Sequence, residues 1–597
     1  MQYPKLKELK TGRQMVDAFR GYNHNLRISD GEFFDMKNLT SDYYPLLAPR
    51  RQRGVYASPE APGGMIAKDN LCYVDGTKFI VDGYPVDMGL SDDADAVPKQ
   101  LISMGAYVII MPDKKYINTA DLTDFGNIEA EVSTTEPVTF TLCRVDGSAY
   151  SMAYTQAEEP ENPENMELWV DTSSEPHSLK QWSETSGMWV NIATTYVRID
   201  SVGIGTAFEK YDGINISGLE DAVLYDNVSG NELEDTTQLA ALDGAAVVWD
   251  KGDDYIVVAG ILDAARTISN AITVSRKMPT MDFIVERENR LWGCRYGVAN
   301  NGEVVNEVYA SKLGDFKNWN CFMGLSTDSY AASVGTDGQF TGAATMPGQV
   351  LFFKENCIHK IYGNYPSNFQ IQTTQCRGVQ RGCERSLAMV NEILYYKARH
   401  AVCAYDGSLP TEISYAMGSE WYSGAVAGAH GNKYYISMQD THGNYHLFVY
   451  DTAKGLWHRE DDLRAEGFCS CREELYCIDH DTGQIITMLG SGTQDSGKVA
   501  WMAQTGPIGT DMPDMKYVSR LTIRMSMAIG TTVRFLVQYD SMGGWEQLCS
   551  MTGTNLRSFS VPVRPRRCDH LRLRIEGEGE ARIYSITKTI EQGSDIS

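Results

Sequence analysis

Apolar and polar positions alternate along this chain in short runs, broken at close intervals by Gly, Asn, Asp or Pro. Residues 288–319, ENRLWGCRYGVANNGEVVNEVYASKLGDFKNW, set the type. A strand-like run, Leu291 to Tyr296, leads to a turn at Asn300, Asn301 and Gly302. A second strand follows, Val304 to Ala310, and an aromatic, Trp319, closes the unit. Period-2 alternation bounded by turn residues predicts strands, and no stretch carries a sustained 3.6-residue period.

Units of this kind recur. Residues 65–90 turn at Asp75-Gly76 and residues 100–126 at Pro112-Asp113. After a long interruption come 281–319, 340–364, 386–414, 425–461 and 467–489. The clearest ending is FVYDTAKGLWHRE, where Tyr450 and Trp457 flank a turn that Asp451 can cap through backbone N–H groups, an arrangement resembling a kelch blade. Each unit has an apolar face it cannot bury alone, and such repeats are the signature of a β-propeller. We expect an all-β chain whose propeller has six or seven blades. The competing architecture is one or two extended β-sandwiches.

The interruption, residues 134–275, reads as an inserted, mostly-β domain with one helix at most. It holds a Pro/Glu/Asn-rich loop (156–168), aromatic strands in LWVDTSS and MWVNIATTYVRID, and a hairpin turning at Lys251-Gly252-Asp253-Asp254. After a linker at 490–498, the chain ends in a second alternating β-unit. There Leu571-Arg572-Leu573-Arg574-Ile575 puts apolar residues on one face and arginines on the other. A jelly-roll-like β-sandwich fits. The expected division is therefore 1–60 as N-terminal docking segment and ring-closing strands, 61–133 and 276–490 as propeller, 134–275 as insert, and 491–597 as linker and sandwich.

Charge changes this picture in one respect. The formal balance is −25 over 597 residues, which argues against a protein that grips nucleic acid by its phosphates. The excess is local: Thr134 to Asn270 holds 24 Asp/Glu against 6 Lys/Arg, while Met515 onward holds 12 Lys/Arg against 8 Asp/Glu. No apolar run approaches the roughly 18 residues of a membrane span. The first residues carry no signal-peptide core. Folding in a reducing cytosol with the 13 cysteines unbridged is the expectation.

Chemistry is sparse. Cys469, Cys471 and Cys477, or Cys376 and Cys383, lack zinc-ribbon spacing, and His400 and His480 have no local ligand pair, so no metal or cofactor is expected. SVGIGTAF (201–208) is a lone G-x-G, read as a turn. SVGTDGQF (333–340) only faintly echoes a sialidase turn, and no nucleophile motif occurs. Glu460/Asp461 and Glu473/Glu474 are carboxylate pairs of the kind a glycosidase uses, but in an acidic chain they read as solvated strand ends. Arg564, Arg566 and Arg567, with His570, form one basic cluster in VRPRRCDH. It either meets an anion or acidic partner or braces the sandwich as a Pro-pinned loop.

FRGYNHNLRISDGEFFDMKNLTSDYYPLLAPRRQRG (19–54), with NRLWGC, VYASKLGDFKNW and QVLFFKENCIHKIYG, resembles the tail nozzle proteins of short-tailed bacteriophages, also called packaged-DNA stabilisation or tail tubular B proteins. GVQRGCERSLAMVNEILYYKARHAVCAYDG continues the likeness, which covers about 19–54 and 281–490. The resemblance implies a structural virion protein and not an enzyme. Made in the host bacterial cytoplasm, it would form a homo-oligomeric ring, most often hexameric, below portal and adaptor. The ring would extend the channel for double-stranded DNA without sequence-specific binding, help hold or eject the genome, and contact tail fibres without inserting in a membrane. Arg50, Arg51 and Arg53 would then dock on an acidic adaptor. The alternative is a carbohydrate-binding or depolymerising propeller of a tail spike or receptor-binding protein.

Overall fold

The computed structural model describes residues 11–92, 99–134, 137–219, 224–225, 232–233, 237–299, 302–491, 493–494, 497–512, 515–553 and 555–593. Asn300 and Asn301 of the expected turn, and parts of the 490–498 linker, lie outside them. The chain is almost wholly β, and its only α-helix among the described residues is the four-residue Thr237–Ala240.

Six four-stranded meanders and a seventh sheet of five strands correspond to the seven repeated units of the sequence. Blade 1 runs from Pro62–Ala67 to Tyr84–Asp87, and blade 2 from Gln100–Met104 to Asp121–Asn127. Blade 3 runs from Phe283–Arg287 to Tyr330–Ser333, and blade 4 from Gly342–Met346 to Gln370–Gln375. Blade 5 runs from Ala388–Val390 to Thr411–Glu412, and blade 6 from Tyr422–His430 to Leu456–Arg459. Blade 7 takes three strands from Ala465–Cys471, Glu474–Asp479 and Ile485–Thr487. Its fourth, Gly54–Ala57, comes from the N-terminal part of the chain.

The turns are those the residues require. Blade 1 turns over Gly76-Thr77, one residue beyond the expected Asp75-Gly76, with Gly76 at φ +56. Blade 2 turns at Pro112 to Lys114. Middle strands read as unbroken buried runs, as in Gln349–Lys354, whereas outer strands such as Gln370–Gln375 are largely exposed. A strand covered on both faces loses its alternation and keeps it only where one face meets water.

Two compact units divide the chain: Met1–Leu101, Phe340–Lys360 and Gln372–Ser597 form one, Ile102–Gln339 and Ile361–Ile371 the other. In the second, blades 2 and 3 share a core in which Ile109 and Tyr116 meet Leu291, Phe316 and Trp319. The insert leaves blade 2 through a paired neck, Ala130–Ser133 against Thr273–Arg276, close to the expected 134–275. Its two larger sheets enclose Phe140, Ile199, Ile216 and Ile256. Beneath the neck the buried Arg276 guanidinium pairs with Asp212, which also accepts from Asn318 at 2.8 Å. The stretch MWVNIATTYVRID divides into two strands of different sheets, Met188–Asn191 and Tyr196–Asp200. The first belongs to a small sheet with Tyr154–Gln156, Leu168–Asp171 and Ser178–Ser183. Trp189 there packs edge-on against Trp169, Trp182 and Tyr154.

In the first unit, the C-terminal sandwich is present but is not built from C-terminal residues alone. Thr11–Val16 pairs along Ala581–Gln592, and Glu32–Lys37 along Ala500–Thr505. Residues 11–37 are thus strands of the sandwich and not a separate docking segment. Leu571, Leu573 and Ile575 face its core beside Val537 and Phe535, while Arg572 and Arg574 lie outside over Phe34 and Trp545. Between strands, Gly577 faces the Trp501 ring so closely that a Cβ would sit 2.1 Å from it. Gly577→Ala should therefore force the buried Trp501 to move and cost about 1–3 kcal/mol, read as a lowered Tm in thermal melts.

Candidate functional site

The densest cluster of charged side chains in the first unit lies where residues 38–53 cross blades 6 and 7. This strap has little regular structure, so side chains satisfy its backbone and hold its course. The Asn38 amide donates to Ala500 O at 2.7 Å and its oxygen accepts from Arg50 Nε at 2.8 Å. Ser41 Oγ donates to Asp451 Oδ2 at 2.6 Å, and Lys454 Nζ reaches both Asp451 and Ser41 O. Asp451 also accepts from the Lys454 N–H, the expected cap of the Tyr450–Trp457 turn. Those two rings pack across the strands at 4.9 Å, tilted by 39°. Lys433 donates to Thr40 and Asp42.

Arg53 lies at the end of the strap, one residue before the strand that completes blade 7. Its Nη1 donates to Asp461 at 2.7 Å and its Nη2 to Glu460 at 2.8 Å, and Arg50 adds a contact to Asp461 at 3.1 Å. All four side chains are largely buried. Burial works to raise the Asp461 carboxyl, but Arg53 and Arg50 more than offset it and hold the group below its ordinary 3.8.

This arrangement revises the reading of both partners. Arg50 and Arg53 are spent inside the protein and offer no guanidinium for docking, whereas Arg51 is exposed. Glu460 and Asp461 are not solvated strand ends. Glu474 is also interior: it accepts from the N–H groups of Leu475, Leu489 and Ser491 and from Ser491 Oγ, fixing the loop after blade 7, while Glu473 is exposed. Sequence reading missed the strap because each arginine and its carboxylate stand more than four hundred residues apart.

The other candidates separate. Arg564, Arg566 and Arg567 are exposed on a coil; Arg566 pairs with Glu546 at 3.1 Å and lies over the Tyr539 ring. His570 bonds Ser541 and Asp569. Cys469 and Cys471 enter one apolar cluster, with Leu71 of blade 1, and Cys477 enters another on the opposite face of blade 7. All 13 cysteines are free thiols. Among the described residues no group of three or more His, Cys, Asp or Glu side chains could hold a metal. Gly203 and Gly205 form the expected turn, the Gly203 N–H donating to Asp254. His480 pairs with Glu466 and His400 is exposed.

One feature was not anticipated. Trp421, exposed, lines a small hollow together with His400, Glu412 and Glu420, and Tyr415, six residues before it, is also exposed. Leu26, 91% exposed, is anchored beside them through Asn25, whose amide donates to Tyr415 O.

No family model matches the chain, and no curated protein matches it. Among solved structures, similarity extends to an exo-β-1,3-galactanase from Phanerochaete chrysosporium at 10% identity, covering 51% of this chain and 94% of that one with a TM-score of 0.22. PorZ of the type-IX secretion system of Porphyromonas gingivalis is 11% identical over 89% and 82%, TM-score 0.24. Apo AztD from Citrobacter koseri is 10% identical over 74% and 93%, TM-score 0.27.

Breaking a buried pair leaves an uncompensated charge. Asp461→Ala should accordingly cost about 3–5 kcal/mol in denaturant melts, against less than about 0.5 for Arg51→Ala at the surface. Acid should act on the same strap through His458, buried beneath it and pushed down to about 3 by burial and by Lys433. The unfolded chain takes up this proton near 6.5 and the folded chain does not. Stability should therefore be full above pH 6.5 and fall by up to about 1.4 kcal/mol per pH unit as pH drops toward 3. A His458→Gln variant should show a shallower slope in melts between pH 7 and 4.5.

Proposed function

We propose that this chain is a non-catalytic structural protein of a short-tailed phage tail, a nozzle component below portal and adaptor that extends the DNA channel and helps retain or release the genome. The observation that carries the reading is the fate of the carboxylates. Glu460, Asp461 and Glu474, the groups best suited by sequence to hydrolytic chemistry, are bound by Arg50, Arg53 and backbone N–H groups that hold the fold together. They are neither free to take a proton from water nor to attack a sugar carbon. The −25 balance suits a wall along which DNA slides, since a basic wall would retain phosphates. Residues 19–54, one of the segments that resemble nozzle proteins, supply the sandwich strand Glu32–Lys37 and the strap that leads into Gly54–Ala57.

A second reading, a carbohydrate-binding propeller, is favoured by one observation, the exposed Trp421 beside His400, Glu412 and Glu420. Aromatic faces flanked by polar groups suit a sugar ring.

Reconstruction of virions containing this chain, with assays on capsular polysaccharides, separates the two. Six copies around the channel and no turnover are expected. Three copies at fibre tips, or polysaccharide binding lost on Trp421→Ala, would overturn the nozzle reading.

A further inference from the structure

The small tryptophan sheet of the insert ends in an open edge. Met188–Asn191 pairs with Ser178–Ser183 on one side only. Register assigns the hydrogen bonds: the Ile192 N–H donates to Leu179 O at 2.8 Å, so in an antiparallel ladder Val190 and Met188 also bond inward. Trp189 and Asn191 then aim N–H and C=O outward, and among the described residues nothing bonds them. Natural sheets protect such edges with lysine, proline or a bulge. This strand is short, four residues, but carries no lysine, proline or bulge; on one face it exposes Met188, 57% exposed, and Val190, 48% exposed. Trp189 is held rigid by the three rings around it, so the edge is presented in a fixed form.

Charge specifies what would pair there. Residues 154–191 hold eight carboxylates and one cation, Lys180. Lys180 is already engaged with Asp171 at 2.7 Å and lies over Trp169. Glu184 lies exposed in the turn that leads into this strand, and Glu158, Glu159, Glu161 and Glu164 are exposed in the loop that follows the strand at the opposite edge. An apolar, unpaired edge on a small, strongly acidic sheet matches a strand that alternates cations with apolar residues.

We infer that Met188–Asn191 is a strand-addition site for an extended lysine- or arginine-bearing segment of another protein. Main-chain bonds to Trp189 and Asn191 would give the register. Contacts with Met188 and Val190, and the surrounding carboxylates, would select the sequence. The inference goes beyond the tail reading and does not depend on it: peptide capture without incorporation in virions would refute that reading and leave this one standing.

The test uses the full chain and a labelled octapeptide alternating lysine and valine, with a glutamate–valine octapeptide as control, read by fluorescence anisotropy. The cationic peptide should bind, weaken about tenfold between 50 and 300 mM salt, and lose at least tenfold in affinity on Asn191→Pro, which removes an outward N–H. Val190→Lys, which adds a like charge at an exposed position, should weaken it comparably and keeps the test valid if the proline variant does not fold. Failure of the cationic peptide to bind, equal binding of both peptides, or unchanged affinity in folded variants would each overturn the inference.

Discussion

The structure depends on a strand that arrives from the wrong end of the chain. Blade 7 has three strands of its own, and without Gly54–Ala57 the edge at Ile485–Thr487 would be left open. The strap that delivers this strand is fixed by charges in a mostly apolar setting. Buried ion pairs contribute little net stability compared with a well-packed apolar replacement, but their geometry is demanding. Arg53 has carboxylates on two adjacent residues within 2.8 Å, so a displacement of the strap by one residue would strand them all. In this protein the charges specify register and the surrounding aromatics supply the burial.

The same arrangement explains what could be read in advance. Local patterns were legible because they rest on neighbours in sequence. The alternation at Leu571–Ile575, the turns at Pro112 and Lys251, and the Tyr450–Trp457 ending all reappear where the residues require them. Arg50 and Arg53 were misread because an isolated basic run in a loop looks solvated, and nothing nearby reveals Glu460 and Asp461. Residues 11–37 were misassigned for the same reason: Thr11–Val16 carries a strand pattern but no mark of its partner, Ala581–Gln592. The small tryptophan sheet was read as strands, yet MWVNIATTYVRID divides between two sheets across a break at 192–195, with a bend at Ala193, that alternation does not encode.

Acidity, too, has a structural reading. In the insert the few cations are largely used internally, Lys210 on Asp250, Lys251 on Glu209 and Arg266 on Asp263. The surplus of carboxylates over cations remains, and the insert carries a net negative field. A field of one sign resists self-association of like surfaces and favours partners of the other sign.

The sandwich has a consequence for the order in which the protein can be made. Its strand Thr11–Val16 is synthesised long before the mate it pairs with, Ala581–Gln592. Gly54 likewise waits for Thr487, 433 residues downstream. A nascent chain therefore carries two unsatisfied strand edges while the intervening blades are synthesised and fold. Closure is a late event spanning long loops, with the slow, non-local character such pairing imposes.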